Sequence, residues 1–135
     1  MSRLKALIVE DTISNVVLLE AKLLNEHFEV HVAYNGLEGL TRFEDHPFDI
    51  VLLDVMMPGM DGFEVCRRLR AHPRSANIPI IMISALDSPP DRDTGMAAGA
   101  DDFFVKPVED EVLFARMHNL IRLRASALLQ PAANG

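Results

Sequence analysis

The stretch Asp49-Ile-Val-Leu-Leu-Asp54-Val-Met-Met-Pro-Gly-Met-Asp-Gly62 decides the fold. Four successive aliphatic residues, 50–53, leave no polar side for water, so this strand is covered on both faces. It stops on a carboxylate, and Pro58 and Gly59 then turn the chain. A strand buried on both faces belongs in a parallel sheet with helices above and below it.

The flanking sequence repeats that plan. Residues 4–9 read as a strand and 13–26 as a helix, with Ile13, Val16, Leu19 and Leu23 spaced by three and four. Residues 28–33 alternate as a strand, and 36–45 predict a short helix that stops before Pro47. Residues 63–71 predict a helix, 78–83 a second strand apolar on both faces, and 103–105 a short strand. The segment 88–99 carries two prolines at its start and Gly95 inside. Because glycine costs ~1 kcal/mol relative to alanine in a helix, a short and weakly held helix is expected there. Residues 110–129 read as a long final helix with acidic residues at its start. Five strand-helix units with right-handed crossovers make an α/β fold. It is a doubly wound five-stranded parallel sheet, a (βα)5 three-layer sandwich of the flavodoxin-like class.

Composition narrows the function. The chain has 135 residues, enough for one domain, and 49% of them are hydrophobic. Its net charge of -7 argues against direct grip on a nucleic-acid backbone and favours cations. One cysteine, Cys66, excludes an internal disulfide and fits a reducing, cytoplasmic setting. No apolar run approaches the ~20 residues of a membrane span. The run Leu7-Ile8-Val9 is too short, and too acidic behind, for a signal peptide.

In a doubly wound sheet, ligands bind at the carboxyl ends of the strands. Those ends carry Glu10-Asp11, Asp54, Ser84-Ala85 and Lys106-Pro107. Three carboxylates brought together repel one another unless a cation sits among them, and hard oxygen ligands suit Mg2+. A cation, a lysine and a hydroxyl together are what a phosphoryl group needs during transfer. Asp54, alone at a central strand end, is the candidate nucleophile, and the paired Glu10 and Asp11 suit the metal. Taken singly, each residue has a plainer reading. Asp54 could be a turn or cap residue, Glu10-Asp11 the acidic entry to a helix, Lys106 a surface lysine, and Ser84 a hydroxyl bonded to its own backbone. Their convergence argues for the shared chemistry.

These motifs resemble the receiver domain of two-component response regulators. The matching residues are Val9-Glu10-Asp11 with Asn15, Leu53 to Gly62, Ile83-Ser84-Ala85, Gly99-Ala100-Asp101-Asp102 and Lys106-Pro107. The match runs from about Leu4 to Arg124, which makes 1–124 the receiver and 125–135 a helix end and tail. Locally the chain is most similar to the N-terminal receiver of PleD-type regulators, which carry diguanylate cyclase domains. The resemblance implies that Asp54 is the phosphoacceptor and that Asp11 ligates Mg2+ directly. Glu10 would act mainly through water, and the Met56 carbonyl and Asp54 would complete the metal set. It implies that Ser84 and Lys106 bind phosphoryl oxygens and that Ser84 and Phe103 switch with state. It also implies that the Lys106-Pro107 bond is cis. Receivers often carry Tyr where Phe103 stands, so a signal through that hydroxyl is absent here. The implied partners are a sensor histidine kinase or a histidine phosphotransfer protein, with a fused or separate output domain. The only catalysis implied is the gain and loss of the chain's own phosphoryl group.

Three further expectations concern neighbours of this set. Met56 and Leu86 stand two residues beyond Asp54 and Ser84, and neither can orient a water, so slow self-dephosphorylation is expected. Met56, Met57 and Met60 suggest a loop patch for a partner helix, or simple loop packing. Arg116, Arg122 and Arg124 with Asp91, Asp101 and Asp102 suggest a homodimer joined through the last two helices and the fifth strand, or else solvated charge. Leu123, Leu128 and Leu129 run past the usual end of a receiver, toward another domain or a packed tail. Gly62 reads as serving the turn into the next helix.

Three other function classes fit less well. A flavodoxin-like cofactor binder needs a hydroxyl- and glycine-rich phosphate loop, and this chain has Glu10-Asp11-Thr12-Ile13 there. A Mg2+-dependent phosphohydrolase needs an acid or base near the acceptor, where Met56 stands. A receiver that binds partners without phosphorylation would not keep Glu10, Asp11, Asp54, Ser84 and Lys106 together. His27 and His31 fall across a helix end and a strand, which reads against a zinc site.

Overall fold

A computed structural model describes residues 3–86 and 88–129. The elements are β1 (Lys5–Val9), α1 (Ile13–Asn25), β2 (Glu29–Ala33), α2 (Gly36–Asp45), β3 (Ile50–Asp54), α3 (Gly62–Ala71), a 3-10 turn (Pro73–Asn77), β4 (Ile80–Ser84), α4 (Pro89–Ala98), β5 (Asp102–Val105) and α5 (Asp110–Leu129). One sheet runs in the order β2-β1-β3-β4-β5 with every pair parallel. The order reverses between β1 and β3, the place where such sheets open a crevice. The 3-10 turn has no counterpart in the sequence reading.

The aliphatic runs split by parity. Leu7, Val9, Val51, Leu53, Ile80 and Met82 face the layer that holds Val65, Cys66 and Leu69 of α3. Ala6, Ile8, Ile50, Leu52, Ile81 and Ile83 face Leu23 of α1 and Leu113, Met117 and Leu120 of α5. All five residues of β3 and of β4 are buried. Burying a side chain such as Leu52 contributes about 1.5–3 kcal/mol, so the two central strands anchor the fold. Cys66 lies in this core, and burial pushes its thiol up to about 11.

Local chemistry sets the helix ends. Asn35 and Asp61 cap α2 and α3, accepting from the Glu38 and Glu64 N–H groups at 2.8 and 2.9 Å. The ten-residue α4 forms with its two prolines in the first turn. Gly95 has a packing reason. A Cβ there would lie 2.9 Å from both the Met82 sulfur and the Phe103 ring. Glycine lets α4 settle directly on β4 and β5 and leaves a slot for Phe103.

Of Asp91, Asp101 and Asp102, weighed for a second copy or as solvated charge, the last two pair with arginines within the chain. Asp101 binds Arg70 at 2.7 Å, binds Arg124, and accepts the Ile80 N–H at 2.8 Å. Arg70 also holds the carbonyls of Ser75, Ile78 and Gly99. Asp102 binds Arg116 of α5 at 2.7 Å and Arg92 of α4 at 3.4 Å. These charges therefore tie α3, α4, β5 and α5 to one another within the chain. Leu123 is exposed near the end of α5. The side chains of Leu128 and Leu129, and the tail 131–135, lie outside the described residues.

Candidate functional site

The carboxyl ends of β1, β3, β4 and β5 carry the polar residues singled out in the sequence, and the sheet brings them together. Asp54 is the last residue of β3 and is only 7% exposed. Glu10 follows β1 directly and is equally enclosed, and Asp11 is half-buried beside it. One oxygen from each of the three carboxylates falls within a sphere of mutual distances no greater than 4.8 Å. Lys106, just beyond β5, reaches across to Glu10 at 3.0 Å and to Asp54 at 3.5 Å. Glu10 is further held by the Asn15 side chain at 3.2 Å and by the Thr12 N–H at 3.1 Å. The Lys106-Pro107 bond is cis.

Charge here is unbalanced. Burial and the Glu10 charge push the Asp54 carboxyl up to about 6, against the opposing pull of Lys106. Burial also pushes Glu10 upward, but Lys106 and the Thr12 N–H outweigh it and hold Glu10 below the ordinary carboxylate range. Burial pulls Lys106 down, but the bond to Glu10 and the charge of Asp54 win, so it stays protonated. Among the described residues the result is three carboxylates against one lysine. That donor set suits a hard divalent cation, and a second positive charge would restore full ionisation of Asp54.

Ser84, the last residue of β4, is fully buried. Its Oγ accepts the Leu86 N–H at 3.1 Å, and its own hydrogen remains available to donate. Phe103 is buried, with its ring seated against Gly95. Met56 is 56% exposed in the turn after β3. With Pro58, Phe63 and Leu86 it lines an open apolar groove next to the carboxylates. Met57 lines the same groove but is buried, and Met60 is partly buried, so of the three methionines only Met56 is well exposed and the other two pack the loop.

Sequence reasoning missed the role of Gly62. It opens α3, but a side chain there would collide with the Asp54 carbonyl oxygen and the Val55 Cα. The Gly62 N–H also donates to the Val55 carbonyl at 2.8 Å. The loop 55–61 thus folds back onto the strand that carries Asp54, and only glycine permits that contact. Nothing in the local sequence separates this role from an ordinary helix-entry glycine.

Comparison with known proteins places this geometry. A family model for the response regulator receiver domain matches residues 6–118. The response regulator PleD of Caulobacter vibrioides is 48% identical over 120 residues, covering 89% of this chain and 26% of that protein. The uncharacterized transcriptional regulatory protein YclJ of Bacillus subtilis is 38% identical over 119 residues, covering 88% of this chain and 51% of that one. The chain thus spans a quarter to a half of the length of these relatives. Among solved structures, the chemotaxis protein CheY4 of Vibrio cholerae superposes with a TM-score of 0.83 at 32% identity, covering 88% of this chain and 99% of that one. The receiver domain of the sensor histidine kinase PA1611 of Pseudomonas aeruginosa, solved with a magnesium ion coordinated in its active-site cleft, superposes at 0.83 with 27% identity, covering 90% and 99%.

Proposed function

The chain belongs to the response regulator receiver family, whose members accept phosphoryl groups in two-component signalling, and we propose that Asp54 is its phosphoacceptor. The observation that carries this reading is the unbalanced charge at the rim. Asp54 is enclosed, crowded by Glu10 and Asp11, and faced, among the described residues, by a single lysine. A structural aspartate would be neutralised by its neighbours; this one waits for added positive charge.

In the proposed reaction a phosphohistidine of a histidine kinase or phosphotransfer protein meets an Asp54 oxygen. The P–N bond breaks, the P–O bond to Asp54 forms, and the leaving imidazole takes up a proton. Glu10, Asp11 and Asp54, with the Met56 carbonyl, would hold Mg2+, Asp11 directly and Glu10 mainly through water. When bound, the ion supplies the charge that keeps Asp54 ionised and nucleophilic. Lys106 exchanges its carboxylate partner for a phosphoryl oxygen, and the Ser84 hydroxyl donates to another. The Ser84 movement then bears on Phe103 and on the α4–β5–α5 face, which passes the change to an output domain or a separate partner. The donor finds an apolar footing on α1, which begins two residues after Asp11 and leaves Ile13 and Val17 exposed. The receiver ends near residue 124, with the remainder of α5 leading outward. The chemistry is confined to its own phosphorylation and dephosphorylation, in a cytoplasmic setting. Among the described residues no helix is long and apolar enough to cross a membrane.

Incubation with a small-molecule phosphodonor and Mg2+, followed by intact mass and size measurement, tests this reading. The expected result is one added phosphoryl group, absent with chelator and absent in Asp54→Asn. An unchanged mass with Mg2+ present would overturn it. A mass gain accompanied by doubled size would show that phosphorylation drives dimerisation despite the internal ion pairs.

A further inference from the structure

The outer edge of the sheet, away from the carboxylate rim, carries a second set of ligating side chains. β2 lies at the end of the sheet order, and its Glu29 and His31 share one face by parity. His31 pairs in register with Leu7, whose side chain belongs to the layer under α2 and α3. His46, the residue that ends α2, meets it there. The two imidazole centres lie 5.0 Å apart, and the Phe48 ring packs edge-on against His31. We propose that His31 and His46 form a binding site for a borderline-soft divalent transition ion such as Zn2+, which clasps the edge strand to the end of α2.

The hydrogen bonding of His31 prepares it as a ligand. Its Nε2 lies 2.8 Å from Glu29 Oε2. An ionised carboxylate only accepts, so Nε2 carries the hydrogen and Nδ1 keeps a free lone pair. A carboxylate on the far nitrogen is the arrangement that orients metal-binding histidines and raises their basicity. The spacing also fits. An imidazole nitrogen binds Zn2+ at about 2.0–2.1 Å, and two rings meeting on one ion at a tetrahedral angle have centres about 5 Å apart.

Local charge favours a cation at this place. The last turn of α2 turns its free carbonyls toward His46, and Glu44 and Asp45 add negative charge. Arg42, the basic residue of that turn, leans back toward Glu38 at 3.8 Å. Imidazole suits Zn2+, Ni2+ and Cu2+, whereas carboxylates suit Mg2+, so the edge and the rim select different ions. Among the described residues no third histidine, cysteine or carboxylate completes a ready-made trio here, and water fills the remaining positions.

Zn2+ is the probe, titrated into the full chain with Mg2+ in excess to occupy hard oxygen ligands. Imidazole nitrogen NMR reads the binding. Saturable shifts are expected at His31 Nδ1 and at one nitrogen of His46, together with a raised melting temperature. His46→Ala changes an exposed side chain and should weaken binding by about tenfold or more without altering the fold. Glu29→Ala should weaken it about tenfold and mix the two tautomers of His31. Glu29→Gln, whose carbonyl still accepts from Nε2, should restore most of both. Asp54→Asn should leave the His31 and His46 shifts unchanged. Shifts confined to His27, His72 or His118, binding that His46→Ala does not weaken, or no saturation below millimolar Zn2+ would overturn the site. Binding that survives Glu29→Ala in full would overturn the positioning role of Glu29.

Discussion

Two clusters of carboxylates lie at the edges of the same sheet, and they are built in opposite ways. Asp101 and Asp102, at the start of β5, face four arginines: Arg70 and Arg124 on one, Arg92 and Arg116 on the other. Among the described residues, Glu10, Asp11 and Asp54, at the strand ends across the sheet, face Lys106 alone. The first cluster is compensated by the chain itself and holds helices in place. The second is left short of positive charge, which only an external group can supply. A surplus of cations accompanies the carboxylates that hold helices in place, and a deficit accompanies the proposed phosphoacceptor site.

Breaking the compensated cluster should cost most. Asp101→Ala leaves the poorly exposed Arg70 unpaired and removes an acceptor from the Ile80 N–H. A loss of about 3 kcal/mol is expected, read as a lowered urea midpoint. Gly95→Ala, on the same side, forces a methyl group against Met82 and Phe103. It should cost about 1–2 kcal/mol and shift the aromatic resonances of Phe103.

The uncompensated cluster should respond with the opposite sign. In metal-free buffer Asp54 titrates at about 6, above the ordinary 3.8. Between those values the folded chain holds a proton that the unfolded chain has lost. Stability therefore falls as pH rises through that window and is flat above it. Asp54→Asn should flatten the profile and stabilise the metal-free protein above pH 6 by on the order of 1 kcal/mol. Thermal melts across pH 4–8 compare the two proteins. If the variant is instead destabilised, Asp54 is a structural residue like Asp101.

The smallest stability effect, with a kinetic consequence, is expected at the groove beside the site. Met56→Asn and Leu86→Glu change exposed or half-exposed apolar side chains and should shift stability by no more than about 0.5 kcal/mol. Each supplies a group able to orient water, so the phosphorylated form should lose its label on the order of tenfold faster. An unchanged half-life would mean that these two positions do not protect the phosphoryl group.

Most of the fold was legible because parity and period are local signals. The runs 50–53 and 80–83 could only be central strands, and the polar residues that follow the strands pointed to one rim before any geometry was known. What stayed hidden depends on distant contacts. The helix 89–98 looked weak because Gly95 was weighed by propensity, whereas its value lies in contact with Met82 and Phe103. Gly62 looked like a turn residue because its neighbour, the Asp54 carbonyl, is invisible in the local sequence. Asp101 and Asp102 were read as charge for a second copy or for solvent because their arginine partners within the chain lie 10–31 residues away. Met57 was grouped with Met56 by adjacency, although the turn sends one into the core and leaves the other exposed.

The contrast between the two clusters can be tested in one sample. The chain is phosphorylated with a small-molecule donor and Mg2+, the acyl phosphate is trapped by hydride reduction, and the modified peptide is sequenced. The account predicts that the modification sits on Asp54, with Asp101 and Asp102 untouched. A label on either of those two, or on any residue other than Asp54, would contradict it.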